Sequence, residues 1–275
     1  MTPTTDLNSP MIRHEPRMVR HTLKRRMIEV LHTRRITPHM QRIVFGGEEL
    51  HDFVSAAPDD HVKLIFPNAN GELVFPTLGP NGPEFPPGAM PSPMRDYTPR
   101  EYDSTRNELI VDFVIHGDGP ASTWAERAQP GQRIGVGGPR GSFITAEDFD
   151  RYVLVGDETA LPAIGRRLDE MHASARVSIL IEIPEAADRQ PLGSQAQFQV
   201  RWLERDGVDA ASSELLELAL RELPEWPGDT FYWIAAESRR ARVMRKYLVE
   251  ERGVPKEWIR ATGYWKADGA DEEED

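Results

Sequence analysis

The chain has 275 residues, 39% of them hydrophobic, no cysteine and a formal net charge of −12 at pH 7. This length and composition favour a folded globular protein of two domains. The absence of cysteine excludes disulfides and thiolate-bound metal clusters, and the negative net charge argues against a nucleic-acid partner.

The two ends of the chain differ in charge. Residues 1–6 are polar and lack the charged and then apolar pattern of a secretory signal. No apolar run approaches the roughly 20 residues that a membrane-spanning helix needs. We therefore expect a cytoplasmic protein without membrane insertion. Residues 13–35 are rich in Arg and Lys and residues 268–275 are almost entirely acidic, and we interpret both as solvated tails rather than partner-binding arms.

The first half of the chain predicts an all-β domain. Four segments mix β-branched and aromatic residues and are bounded by Gly, Pro, Asn or Asp: residues 27–31, 40–45, 61–66 and 109–115. Short strands of this kind predict an antiparallel barrel or sandwich. Residues 76–93 are so dense in Pro and Gly that we expect a long loop, which is a typical place for a lid or binding segment.

Beyond residue 150 the pattern changes to alternating strands and helices. Strands are predicted at residues 152–156, 176–183, 197–203 and 230–236, and helices at residues 160–171, 213–223 and 238–252. This order is typical of a parallel, doubly wound sheet. We place the domains at residues 17–147 and 148–275, and a cleft between them would let a cofactor on one domain meet an electron donor on the other.

The segment Arg95-Asp96-Tyr97-Thr98 has the residue types that a flavin needs. A flavin binds against a flat apolar surface, with a cation near its phosphates or ring oxygens and hydrogen-bonding groups at the ring edge. An extended backbone places Arg95 and Tyr97 on one side and Asp96 and Thr98 on the other. The motif is short, and an ordinary strand with a surface arginine is the alternative.

A turn with two glycines follows the last predicted strand of the first half. It reads His116-Gly117-Asp118-Gly119-Pro120-Ala121-Ser122. Glycine lets the backbone approach a diphosphate, and the free amides of a helix start bind phosphate oxygens. We expect Ser122 to cap the helix that follows. A plain helix-capping turn is the alternative, but two short motifs in this order favour a phosphate site.

Other candidate sites are less well supported. Gly156-Asp157-Glu158-Thr159 departs from the Gly-X-Gly-X-X-Gly fingerprint, because acidic residues occupy the place where a diphosphate would approach. Thr159 either lies beside a nicotinamide or, like Asp157, caps the helix. This departure argues against tight dinucleotide binding at this position. The histidines show no metal-ligand spacing and Ser142 lies in no hydrolase elbow, so we expect neither a metal site nor a hydrolase.

Six segments of the chain carry a family resemblance. They are Asp60-His61-Val62-Lys63-Leu64, Arg95-Asp96-Tyr97-Thr98, residues 112–125, Gly138-Pro139-Arg140-Gly141-Ser142-Phe143, residues 156–164 and Gly263-Tyr264-Trp265. In this order the chain resembles the siderophore-interacting protein family, which are FAD-dependent ferric-siderophore reductases of the ferredoxin-reductase-like superfamily. The matching segments span almost the whole chain.

The resemblance implies a Greek-key β-barrel that binds FAD, followed by a nucleotide-type α/β domain. It implies that the following residues contact the flavin or the nicotinamide: Arg95, Asp96, Tyr97, Thr98, Asp112, Val114, His116, Asp118, Gly119, Ala121, Ser122, Thr159 and Trp265. It also implies basic residues at the outer face of the flavin, which receive an anionic ferric chelate. We assign these substrate-binding positions to Lys63, Arg140 and Lys266.

The function implied is that of a flavin-dependent oxidoreductase. It would reduce Fe(III)-siderophore to Fe(II) with electrons from NADPH, NADH or a ferredoxin. No protein residue needs to act as acid, base or nucleophile, because the cofactor performs the redox step. We expect a monomer. A general flavin or electron-transfer reductase and a non-catalytic siderophore-binding protein are the alternatives.

Overall fold

The computed structural model describes residues 13–79, 82–117 and 119–267, and its first half consists mainly of antiparallel strands. These strands are β1 (Arg17–Arg20), β2 (Arg25–Thr37), β3 (Met40–Gly46), β4 (Val62–Ile65), β5 (Thr77–Gly79), β6 (Gly82–Glu84), β7 (Met94–Tyr97), β8 (Glu101–Asp103), β9 (Glu108–Val114), β10 (Arg133–Gly137) and β11 (Gly141–Ile144). The helix α1 (Pro120–Arg127) follows β9.

Seven of these strands form one curled sheet. Their order is β7-β4-β10-β2-β3-β9-β8, while β1 pairs with β11 and β5 with β6. In β2, Ile28 and Val30 are buried and their neighbours are more exposed, because alternate side chains of a strand point to opposite faces. The sheet curls until its edge strand β7 approaches β9, where the rings of Tyr97 and Phe113 lie 4.4 Å apart.

The second half forms a parallel sheet with helices. Its elements are β12 (Arg151–Gly156), α2 (Leu161–Glu170), β13 (Arg176–Ile183), β14 (Gln197–Glu204), α3 (Leu215–Arg221), β15 (Thr230–Glu237), α4 (Ser238–Glu250) and β16 (Ile259–Trp265). The strand order is β14-β13-β12-β15-β16, and every neighbouring pair is parallel. The chain therefore reverses its winding direction between β12 and β15, the position where such sheets bind ligands.

The predicted fold class, an antiparallel β domain followed by a parallel α/β domain, is confirmed. The predicted boundary between residues 147 and 148 stays a prediction. Within the expected long loop at residues 76–93, the short strands β5 and β6 form a small hairpin. None of the helices in the described part of the chain is long and apolar enough to span a membrane.

The interpretation of residues 13–35 as a solvated tail is wrong. Most of this basic stretch belongs to β1 and β2, which pair with β11 and β10. Charged residues are tolerated here because one face of each strand lies outside the core, as the exposed Arg17 and Arg25 show. The acidic stretch at residues 268–275 lies outside the described residues.

Asp59 connects the two domains through three side chains. Its carboxylate precedes β4 and accepts hydrogen bonds from Trp233 Nε1, at 3.3 Å, and from Arg260 Nε. Arg167 Nη2 of α2 lies 3.6 Å from the other oxygen. Burial alone would raise the pKa of Asp59, but the charges of Arg167 and Arg260 outweigh burial and hold this pKa below its usual value. An ionised carboxylate of the first domain thus holds two strands and a helix of the second.

We expect Asp59→Asn to lower the free energy of unfolding by about 3 kcal/mol, because Arg167 would remain buried without its counter-charge. For a chain of this size, the melting temperature should fall by roughly 6–12 °C. Asp169→Asn is the matched control, since Asp169 pairs with Arg100 at 2.8 Å across the same interface but is 51% exposed. That variant should lose less than about 1 kcal/mol. Equal melting temperatures of the two variants would contradict the special role of Asp59.

Candidate functional site

The edge strand β7 carries the first part of the predicted site. It pairs with β4 on one side, so the backbone groups on its other side are available to a ligand. Arg95 and Asp96 are exposed, Tyr97 is half-buried and Thr98 is buried. Burial raises the pKa of the Tyr97 phenol, and the nearby Arg95 opposes this rise only in part, so the side chain stays neutral.

The turn between β9 and α1 carries the second part. The backbone N–H of His116 donates to the Ser122 hydroxyl at 3.0 Å. Gly117 and Gly119 have φ angles of 83° and 96°, a conformation that favours glycine. The prediction that Ser122 caps α1 is wrong. The helix begins directly after Gly119, because Pro120 suits the first helical position, and Ser122 lies inside the first turn.

These two parts fit a flavin dinucleotide. The amides of Ala121 and Ser122 lie in the first turn of α1, where no earlier helical turn supplies acceptors. The space in front of the turn is open, since a methyl group added at Gly117 would meet no atom within 4 Å. The Arg95 guanidinium bonds the Met94 carbonyl at 2.8 Å and no carboxylate of the described residues. An anionic diphosphate would therefore find helix-start amides and an unpaired cation.

Two other residues that are predicted to contact the cofactor already have partners within the protein. Asp112 accepts hydrogen bonds of 2.7 and 2.8 Å from Arg42, which joins β9 to β3. Val114 packs against the core of the second domain. Their contact with a cofactor stays a prediction. The predicted Asp118 lies outside the described residues.

The carboxyl edge of the parallel sheet brings Asp157 and Trp265 together. Trp265 Nε1 donates to Asp157 Oδ2 at 2.8 Å, and the backbone N–H of Thr159 donates to Oδ1 at 2.9 Å. Burial, and to a lesser degree the charge of Glu158, raises the pKa of Asp157 to about 6. Thr159 is thus bound to a capping aspartate, and its contact with a nicotinamide stays a prediction.

Glu158, at the same edge, is paired with an arginine of the protein. Arg205 donates to its two oxygens at 2.7 and 2.6 Å and also reaches Glu182 at 3.3 Å. Glu182 is fully buried and accepts two further bonds from Arg240, at 2.9 and 2.7 Å. The place where dinucleotide-binding folds hold a diphosphate is therefore occupied by acidic residues and the arginines that neutralise them.

The three cations predicted to receive a chelate have different surroundings. Lys63 Nζ lies 2.8 Å from Asp96, so a carboxylate offsets its charge. Arg140 is exposed and lies in the turn after β10, whose last residue, Gly137, pairs with Lys63 in the sheet. Lys266 is exposed and follows the carboxyl end of β16. Neither Arg140 nor Lys266 forms an ion pair with a described residue.

Sequence reasoning missed another cation, Arg260. Its guanidinium carbon lies 4.2 Å from the centre of the Phe143 ring, and Phe143 follows Arg140 by three residues. A groove of about 320 Å³ beside this contact is lined by Phe143, Arg260 and, from α4, Arg245. Asp59, which orients Arg260, lies 201 residues earlier in the chain, so no local pattern of the sequence could reveal the contact.

One group of potential metal ligands occurs among the described residues, and it also joins the domains. Ligand atoms of His39, Glu185 and Asp188 lie within 4.8 Å of one another. Both oxygens of Asp188 already accept hydrogen bonds from His39, at 2.9 Å from its backbone N–H and 2.7 Å at Nδ1. The close approach of His39 and Asp188 is therefore explained as a contact between the domains. The expectation of no metal site stays a prediction.

Comparison with known proteins decides the family. A model of the siderophore-interacting FAD-binding domain matches residues 29–143, and a model of the siderophore-interacting protein matches residues 149–268. The chain belongs to the siderophore-interacting protein family. The predicted resemblance is confirmed, and so is the prediction of FAD as the cofactor.

Relatives of known name match the chain over nearly its full length. The NADPH-dependent ferric-chelate reductase of Escherichia coli K12 is 39% identical over 257 residues, which are 92% of this chain and 97% of the relative. The ferric vibriobactin reductase ViuB of Vibrio cholerae is 32% identical over 245 residues, 88% of this chain and 89% of the relative. A crystal structure of a siderophore utilization protein from T. fusca has a TM-score of 0.85 and 38% identity, and the match covers 92% of this chain and 97% of that one.

The pH dependence of stability tests the surroundings of Asp157. Because folding raises the pKa of Asp157 from 3.8 to about 6, the folded protein binds this proton more tightly than the unfolded chain does. The contribution of Asp157 to stability is therefore present at low pH and declines as the pH rises through this window. We expect Asp157→Asn to remove the decline. Between pH 3.8 and about 6, the melting temperature of the variant should therefore rise relative to that of the wild type.

A second variant tests the raised pKa of Asp157 by the same measurement. Trp265→Phe removes a hydrogen bond to the charged form of Asp157, so the decline should become larger than in the wild type. If the melting temperatures of wild type and both variants changed in parallel with pH, the raised pKa would be disproved.

Proposed function

We propose that this protein is an FAD-dependent ferric-siderophore reductase. The observation that carries this proposal is the match of one domain to the siderophore-interacting FAD-binding domain and of the other to the siderophore-interacting protein. The site formed by β7 and the start of α1 supports it, because the residues fit a flavin dinucleotide. The two reductases named above support the same activity, since each aligns with both domains.

The residues of the chain bind and orient the cofactor and the substrate, and none needs to act as acid, base or nucleophile. Bound FAD would supply the redox chemistry, accepting electrons in pairs from a reduced nucleotide and donating them singly to ferric iron. Arg95 and the first amides of α1 would hold the diphosphate. Tyr97, fixed against Phe113, would offer the ring an apolar face. Iron leaves the chelate on reduction because the lower charge weakens its attraction to anionic oxygens.

Arg140, Arg260 and Lys63 are the cations of the proposed receiving surface for the chelate. The protein has a net charge of −12, so an anionic substrate needs a local positive surface. We favour Arg260 over the predicted Lys266 as the third cation. Arg260 stacks on Phe143 near the start of β16, whereas Lys266 lies beyond the opposite end of this strand.

NADPH is the proposed electron donor, as the name of the Escherichia coli relative suggests. The pairing of Glu158 with Arg205 neutralises the charge of Arg205 at the usual diphosphate position. We therefore expect weak nucleotide binding, with a KM above about 100 μM. A ferredoxin is the alternative donor, and NADH should be used less well than NADPH.

The same proposal includes three further expectations. The reaction takes place in the cytoplasm, where reduced nucleotides are available. The protein acts as a monomer. The two domains divide between residues 147 and 148.

Stopped-flow absorbance tests the activity directly. The purified protein is reduced without oxygen and mixed with a ferric siderophore or with buffer, and a ferrous-specific chelator traps the product. We expect faster flavin reoxidation with the siderophore and one ferrous ion for each electron. Equal reoxidation rates would reject the proposal. Reduction of free flavin or ferredoxin alone would indicate a general reductase, and a colourless preparation that FAD cannot reconstitute would indicate a non-catalytic binding protein.

Two matched variants test the assignment of the cations. Arg140→Gln should raise the KM for an anionic ferric siderophore about tenfold, because one charge-assisted contact is lost. Lys266→Gln should change this KM by less than about twofold, since screened surface charges contribute little. The visible spectrum gives the FAD content of each preparation as a control. A larger effect of Lys266→Gln would instead identify Lys266 as the third cation that receives the chelate.

A further inference from the structure

The last strand of the parallel sheet contains a β-bulge at its carboxyl end. Two consecutive residues of β15 pair with Gly263 and Trp265 of β16, so Tyr264 is an extra residue between the paired positions. The Ser238 hydroxyl donates to the Trp265 carbonyl at 3.0 Å and fixes the chain directly after the bulge. Bulges redirect side chains and occur often beside functional sites. The side chain that this bulge redirects is that of Tyr264.

The hydroxyl of Tyr264 is buried where the two domains meet. The ring is half-buried and lies edge-on to Trp233, with the ring centres 6.1 Å apart. The hydroxyl oxygen is closed off from solvent and forms no aligned hydrogen bond with any described residue. Burial and the charge of Asp59 raise the pKa of the phenol, so the hydroxyl keeps its proton. A buried polar group without a partner lowers stability, so the fold alone does not explain this hydroxyl.

The hydrogen-bonding group next to this hydroxyl belongs to the flavin site. It is the side chain of Thr98, which is buried and directly follows β7. Hydrogen bonding to Thr98 lowers the pKa of Tyr264, against the larger effects of burial and Asp59. Rotation of the two hydroxyls would align the bond. The second domain thus reaches the flavin-binding segment of the first domain through one phenol.

Two other buried atoms of this interdomain cluster also lack an aligned hydrogen bond. They are Asp59 Oδ1 and Arg167 Nη2. These atoms lie 3.6 Å apart with opposite charges, so each offsets the other. The neutral phenol of Tyr264 has no such counter-charge, and the Thr98 hydroxyl is the partner that suits it.

We propose that Tyr264 is a positioning residue for the flavin, and that it lowers the reduction potential of bound FAD through Thr98. This inference rests on the proposed reductase function and on the predicted contact of Thr98 with the flavin. When Tyr264 donates to Thr98 Oγ1, the proton of the Thr98 hydroxyl is left for an acceptor on the other side. The ring edge of oxidised flavin carries acceptors, and reduction converts one of them into a donor. The orientation that Tyr264 fixes therefore favours the oxidised form.

A lower reduction potential suits the proposed reaction. Ferric iron is held by anionic oxygens more tightly than ferrous iron is, so a ferric chelate is harder to reduce than free ferric iron. A flavin of lower potential is the stronger reductant, because the free energy of electron transfer follows from the difference in potential. The hydroxyl that lowers the stability of the fold would thereby increase the driving force for iron release.

Tyr264→Phe is the test variant, and Tyr152→Phe is its matched control. Tyr152 is also buried in the second domain, but its hydroxyl donates to the Ala146 carbonyl at 3.1 Å. It lies near the start of β12, at the amino edge of the sheet and away from the flavin site. The reduction potential of FAD in the purified holoprotein is measured by anaerobic titration against a reference dye, without any chelate. Thermal unfolding of the same preparations reports their stability.

We expect Tyr264→Phe to raise the reduction potential of bound FAD. At a fixed dye potential the ratio of reduced to oxidised FAD should rise about tenfold, which is a shift of about 30 mV for a two-electron couple. The melting temperature should not fall, because the hydroxyl that is removed has no partner. Tyr152→Phe should lower the melting temperature by roughly 2–4 °C and leave the potential unchanged.

Thr98→Val tests whether Tyr264 acts through Thr98. It removes the threonine hydroxyl at nearly constant volume and should raise the potential by about the same amount as Tyr264→Phe does. When Thr98→Val is already present, Tyr264→Phe should change the ratio of reduced to oxidised FAD by less than about twofold, because the connecting hydroxyl is absent. A full additional effect would mean that Tyr264 acts by another route, such as the charge of Asp59, and would overturn the proposal.

The outcomes separate this inference from the function on which it rests. If the wild type reduces ferric siderophore and Tyr264→Phe keeps the wild-type potential, the positioning role is wrong and the reductase function stands. A variant that loses stability without a change in potential leads to the same conclusion. If the potential shifts as expected but the wild type reduces no ferric siderophore, the positioning role stands and the reductase function fails. A wild type that binds no FAD would reject both.

Discussion

The two domains meet around one buried charge, the carboxylate of Asp59. Burial opposes its ionisation, but Arg167 and Arg260 hold it in the charged form. Breaking such a group apart leaves a buried charge without its partner, which is far more costly than losing a surface ion pair. The position of Arg260 over Phe143 depends on this contact. The place of the proposed receiving surface would therefore depend on an interdomain ion cluster as well as on an apolar layer.

The neighbouring contacts reinforce the same arrangement. Arg166 of α2 donates to the carbonyl oxygens of Ser55 and Pro99, at 3.0 and 3.2 Å, which are loop positions of the first domain. The first domain supplies the surface that fits a flavin, and the second supplies Trp265 and Arg260. Neither domain holds all of these groups, so the angle between the domains sets how the groups face one another. A change in that angle would move Trp265 and Arg260 relative to the flavin site without unfolding either domain.

The elements that could be predicted from the sequence are those whose formation depends on residues close together in the chain. Strands β13 and β15 are buried on both faces and therefore appear as continuous apolar runs. The strand β10 reads Arg133-Ile134-Gly135-Val136-Gly137 and becomes a strand only through its partners on both sides, β2 and β4. In β1, the arginines at both ends interrupt the alternation of polar and apolar residues that would indicate a strand. At the site, the β7 segment and the glycine turn are contiguous and could be predicted, whereas Arg260 needed a partner from the other domain.

The pairing of Glu158 with Arg205 has a kinetic consequence for the proposed reaction. A nucleotide whose diphosphate finds no free cation has a short residence time, because affinity differences appear mainly in the dissociation rate. The oxidised nucleotide would then leave before the chelate arrives, and the two substrates could use the cofactor in turn without competing for space. The acidic edge of the sheet would thereby favour a ping-pong order, in which rapid departure of the first product replaces tight capture of the first substrate.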